Sequence, residues 1–135
     1  MNDELNKADE NLSKAISICR QINMVDHEAD ILLELAKLRH AQNDGGESYR
    51  LARETLVIAE RSGYVLQGAD VNLWLAELAM KGYKLQGTSY ASDKEAAMVH
   101  AREALRLANC DGEGYRYQVA YEEAERMLER MKGEL

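Results

Sequence analysis

Residues 29–38 read ADILLELAKL and residues 69–78 read ADVNLWLAEL. Laid one on the other by a shift of about forty residues, they agree at Ala29 and Ala69, Asp30 and Asp70, Leu33 and Leu73. Agreement continues at Leu35 and Leu75, Ala36 and Ala76, and Leu38 and Leu78. The shared residues recur with helical rather than alternating period. The segments between them superpose as well: Ala15-Ile16, Thr55-Leu56 and Ala104-Leu105 hold equivalent places, and so do Cys19, Ala59 and Ala108. Two kinds of helix therefore alternate, which predicts a duplicated hairpin. One hairpin alone leaves an apolar face in water, and stacking buries it. Ala36, Ala52, Ala76 and Ala101 are small enough to let helix backbones approach, with leucine and isoleucine filling the space beside them.

Outward from this core, periodicity and turn signals predict about six helices in an all-α fold. They run roughly 3–21, 26–42, 47–61, 65–81, 92–108 and 115–131. Asp26 is expected to cap the second. Asp44 with Glu47, and Ser92 with Glu95, have capping-box spacing. A longer loop from Gly82 to Ala91 divides the fourth helix from the fifth. The last helix carries an apolar stripe of Tyr117, Ala120, Tyr121, Ala124, Met127, Leu128 and Met131. One repeat domain over 1–135 is expected, built of a half-unit 1–25, repeats 26–63 and 64–110, and a half-unit or capping helix 111–135.

The chain has no proline and a formal charge of −7. Without proline nothing forces a helix to break, and an acidic surface disfavours phosphate backbones as partners. No apolar run has the length of a membrane span, and MNDELNKADE is not a signal peptide. The two cysteines, Cys19 and Cys110, lie far apart and are read as reduced structural residues, so a cytoplasmic protein is expected.

The stretch LAKLRHAQNDGGESYRLARETLVIAE, from Leu35, resembles a tetratricopeptide repeat. Leu35 and Ala36 match the family's leucine and small residue in the first helix. Ser48, Ala52 and Thr55 match the small residues of the second. A similar unit runs from Leu75-Ala76 to Ala97, Ala101 and Ala104, with an insertion in its turn. The resemblance covers nearly the whole chain and implies a right-handed α-solenoid of antiparallel hairpins that binds proteins. IAERSGYVLQGAD, from Ile58, is similar to longer repeats in helical arms of bacterial signalling NTPases and transcription regulators, which implies a piece of a larger regulator. Arg39 and Ala79 stand where the family often has tyrosine, and Glu123 where it has leucine. Relatives that grip a C-terminal carboxylate use lysine and asparagine at places matched here by Leu33, Lys37, Leu73 and Glu77, so that clamp is missing.

In such a stack one side of each first-type helix lines a concave groove. The matching residues are Asp30, Glu34 and Lys37; then Asp70, Trp74, Glu77 and Lys81; then Gln118, Glu122 and Glu125. Trp74 on this otherwise polar side has the composition of a binding hot spot. An acidic groove with one aromatic anchor is expected to select a basic or amphipathic protein segment. The structural alternative folds Trp74 against the 82–91 loop or a neighbouring helix.

His27, His40 and His100 fall on three helices with no pair at ligand spacing, and are expected to be exposed and idle. Neither a phosphate cradle nor a nucleophile set is legible, so no enzyme, cofactor or metal is expected. Competing readings are an oligomerising or small-ligand-sensing arm of a signalling NTPase or transcription regulator. The terminal helices are expected either to expose apolar surface (Leu5, Leu12 and Ile16; Tyr121, Met127 and Leu128) and pair copies as a homodimer, or to turn it inward as caps.

Overall fold

The computed structural model describes residues 2–82 and 93–133. Among these residues the chain forms six helices and is all-α: α1 (Asn2–Gln21), α2 (Val25–Ala41), α3 (Gly45–Ser62), α4 (Val65–Met80), α5 (Asp93–Asn109) and α6 (Gln118–Gly133). Helices adjacent in sequence pack mostly as antiparallel pairs. The chain divides into two compact units, Met1–Tyr64 and Val65–Leu135.

In the first unit α2 packs against both α1 and α3. Asp44 caps α3, its Oδ1 accepting from the Glu47 N–H at 3.1 Å. Only half of the expected box forms, because the Glu47 carboxylate turns to Arg50 instead. Gly63 ends the helix in the left-handed region at φ 68°, a conformation glycine adopts without steric penalty. Asn23, Asn43 and Cys110 take the same positive φ after α1, α2 and α5. The expected cap of α2 is not there: Met24 holds the N-cap place without a side-chain bond. Asp26 lies within the first turn, where its charge still meets the amide end of the helix.

Ala36 and Ala52 have no solvent exposure, as small contact points between α2 and α3 require. Polar ties cross the same unit. Arg39 on α2 reaches Asp9 on α1 at 2.8 Å, and Arg20 on α1 meets Glu28 at 2.8 Å and Glu54 at 3.2 Å.

In the second unit α5 packs against α4 and α6, and α4 also touches α6. Ala76, Ala97, Ala101 and Ala104 are wholly buried. One buried polar contact joins the hairpin. Asn72 Nδ2 donates to the Gly68 carbonyl at 2.8 Å, leaving Asn72 Oδ1 to accept from His100 Nδ1 at 2.9 Å. Asn72 is 3% exposed and His100 6%, so His100 is a core residue rather than the idle surface group its position suggested. In the first hairpin the equivalent residues are Leu32 and Leu51, both buried.

The last helix starts at Gln118, three residues later than its periodicity predicts. Gly112 and Gly114 turn the chain at positive φ, and the Tyr117 N–H goes back to the Ala108 carbonyl at 2.8 Å. Tyr115 is left 74% exposed in the turn. Ala120, Ala124, Met127 and Met131 are buried, while Tyr117, Tyr121 and Leu128 are partly covered. On α1, Ile16 and Cys19 are buried and Leu5 and Leu12 partly covered. Both terminal helices thus turn their main stripes inward. Among the described residues no helix is long and apolar enough to cross a membrane.

Candidate functional site

Amphipathic packing decides what each first-type helix can show to a partner. Between Ala29 and Leu38 of α2, only Asp30, Ile31, Glu34 and Lys37 escape burial. Between Gly68 and Ala79 of α4, only Asp70, Trp74 and Glu77 do. Spacings of four and three residues place each set on one narrow stripe along its helix. The residues predicted to line the site on these two helices therefore share a surface within each unit.

The stripes differ in depth. Asp30, Glu34 and Lys37 stand well exposed, with Lys37 Nζ 3.7 Å from Glu34 Oε1. Asp70, Trp74 and Glu77 are half-buried, so Trp74 shows part of its ring and keeps the rest packed. Lys81 lies in the turn beyond α4, its Nζ 6.0 Å from the centre of the Trp74 ring, the outer limit of a cation–π contact. The 82–91 loop, against which the alternative would fold Trp74, lies outside the described residues after Gly82, as does Ser92 with its expected capping box.

On α6, Gln118, Glu122 and Glu125 are exposed, and Gln118 Nε2 donates to Glu122 Oε1 at 2.9 Å. A shallow depression of about 710 Å³ runs along this helix, with Glu122, Glu125, Glu129 and Arg130 in its lining. Arg130, which the sequence reading omits, approaches Glu77 to 3.8 Å and bridges α6 to α4. The second unit thus joins the α4 and α6 stripes through one ion pair. Helical spacing alone could not pair residues on two different helices.

Chemically the surface offers carboxylates, a partly accessible indole and a few ammonium and guanidinium groups. These can bind and orient a cationic or amphipathic segment. Among the described residues no three histidine, cysteine or carboxylate side chains are grouped to hold a metal ion. Cys19 is buried and Cys110 exposed, with its thiol against the Leu107 carbonyl. Three carboxylates held by arginines lie elsewhere. Arginine hydrogen bonds hold Asp9, Glu47 and Glu103 below the usual carboxylate range, through Arg39, Arg50 and Arg106 respectively. They mark structural ion pairs rather than groups poised for proton transfer.

No family model, curated protein or solved structure matches the chain.

Proposed function

We propose that this chain is a non-catalytic protein-interaction module, a right-handed helical-hairpin solenoid of the tetratricopeptide type. Its first-type helices receive a basic or amphipathic segment. The observation that carries the reading is the stripe on α4, where Asp70, Trp74 and Glu77 are the only residues between Gly68 and Ala79 that remain accessible. Between Gly68 and Ala79 a helix otherwise buried and open along an acidic line with one indole is built to present that line. Contacts within the units support the repeat type: first-type α4 touches α6 as well as its own mate α5. The repeat register, with Ala36, Ala52, Ala76 and Ala101 all at zero exposure, supports it too.

Selection of random peptides on the intact chain tests this. Enriched peptides are expected to combine lysine or arginine with one apolar anchor. Their affinity should fall at least about tenfold on Trp74→Ala and several-fold when Glu122 and Glu125 become lysine. The glutamates are exposed, so their replacement leaves the fold intact. Failure to enrich any peptide, or binding indifferent to all three changes, would overturn the reading.

A further inference from the structure

The accessible stripe of α4 meets two cations from the chain itself. Past the end of the helix, Lys81 brings its Nζ to 6.0 Å from the centre of the Trp74 ring. From α6, Arg130 Nη2 comes within 3.8 Å of Glu77 Oε1. Trp74, Glu77 and Lys81 succeed one another at spacings of three and four residues, so both contacts fall along one line of the helix.

Neither cation is firmly seated. Arg20, Arg39, Arg50 and Arg106 each hold a carboxylate at 2.8 Å or closer. Arg130 stops well short of that, with its side chain 57% exposed and that of Glu77 30% exposed. Lys81 is exposed as well, at the outer limit of a cation–π contact. Contacts this long and this wet are screened by water and add little to the fold. What they show is chemical: an indole and a carboxylate, about one turn apart, each already draw a positive charge.

We infer that Lys81 and Arg130 are internal competitors of the α4 stripe, holding the places that two cationic side chains of a partner take on Trp74 and Glu77. This regulation rests on the binding function proposed above and adds to it. An incoming arginine or lysine that seats against the indole displaces Lys81, and a second displaces Arg130 from Glu77. The contest is between charges of one sign, so the internal pair sets a threshold. A segment with one cation opens one place only, whereas a segment with two opens both. The stripe therefore selects for paired cations beyond net charge alone. A lysine just past a helix also favours its carbonyl end, but that role owes nothing to Trp74.

The probe is a fluorescein-labelled octapeptide of seven arginines around one leucine, titrated by anisotropy into the full chain at low salt. Lys81→Ala and Arg130→Ala should each tighten binding about threefold, and the double variant about tenfold. The gain from Lys81→Ala should vanish in a Trp74→Leu background and persist in Glu77→Gln. The gain from Arg130→Ala should vanish in Glu77→Gln and persist in Trp74→Leu. Lys132→Ala removes the same charge from α6, where Lys132 pairs with Glu129 at 3.9 Å, and should change affinity little. Circular dichroism checks that each variant folds. Wild-type binding that neither removal strengthens would overturn the inference and leave the binding function standing. Gains that Lys132→Ala matches, or that survive loss of their own acceptor, would do the same. Binding by no form of the chain would overturn both.

Discussion

Arg39 holds both carboxylate oxygens of Asp9, Nη1 to Oδ2 at 2.8 Å and Nη2 to Oδ1 at 3.1 Å, across thirty residues of chain. A planar guanidinium fixes a carboxylate in two directions at once, so the pair sets both the spacing and the rotation of α1 on α2. Arg39→Ala should lower unfolding free energy by about 1 kcal/mol, since the pair is part-exposed and screened by solvent. Asp9→Asn should lower it by less. Urea titrations with and without added salt measure both.

The same contact predicts a pH dependence. The Arg39 hydrogen bond, aided by its charge, keeps the Asp9 carboxyl below its ordinary range. A carboxylate depressed by folding contributes stability that is fully present above its unfolded value, near ~3.9, and lost as pH falls through the lower folded value. Stability should therefore decline on acidification below about pH 4, and Asp9→Asn should decline less steeply than wild type. Thermal melts between neutral and acid pH would read the difference, and parallel curves would refute it.

Asn72 and His100 occupy places that Leu32 and Leu51 fill in the first hairpin. Either single leucine substitution leaves a buried polar group without this partner and should cost about 2 kcal/mol. The double change, Asn72→Leu with His100→Leu, copies an apolar pair the chain already uses. It should cost less than the sum of the two by at least about 1 kcal/mol. Additive losses in a double-mutant cycle would show that the two residues act independently.

Cys110 carries a positive φ of 50° where α3 uses glycine. A side chain with a Cβ is strained there, and the thiol is exposed. Cys110→Gly should raise stability by about 1 kcal/mol, the reverse of the usual effect of glycine. Gly63→Ala at the matching φ of 68° should lower it by a similar amount. Melting temperatures of the two variants should move in opposite directions.

Trp74 is the only tryptophan, so the emission of the protein reports one half-buried ring in the α4 stripe. A basic peptide bound along that stripe should shift emission to the blue as water leaves the indole.

What the sequence revealed followed from repetition. Ala36 and Ala76 lie at matching places in α2 and α4, and both are wholly buried, because the same packing problem recurs and has the same small-residue answer. The α4 stripe was legible for the same reason: Leu75, Ala76 and Ala79 fix one side of the helix, leaving Asp70, Trp74 and Glu77 on the other. Contacts that depend on three dimensions were hidden. His100 looks like any surface histidine until Asn72, in another helix, is set beside it. Its counterpart Leu51 was the available clue, since a histidine replacing a core leucine needs a buried partner. The α6 start was misplaced because Tyr115 and Tyr117 continue an apolar period that Gly112 and Gly114 interrupt.

Similar hairpins within one polypeptide carry a hazard while they fold, because α2 and α4 resemble each other enough to compete for α3 and α5. The unequal pairs guard against that exchange. If α4 lay on α3, Asn72 would face Leu51; if α2 lay on α5, His100 would meet Leu32. Each mistake gives up the Asn72–His100 hydrogen bond, whereas the correct pairing keeps it. Erasing the difference with the double leucine variant should leave the native hairpin standing and make refolding less faithful, with entangled dimers accumulating at high concentration.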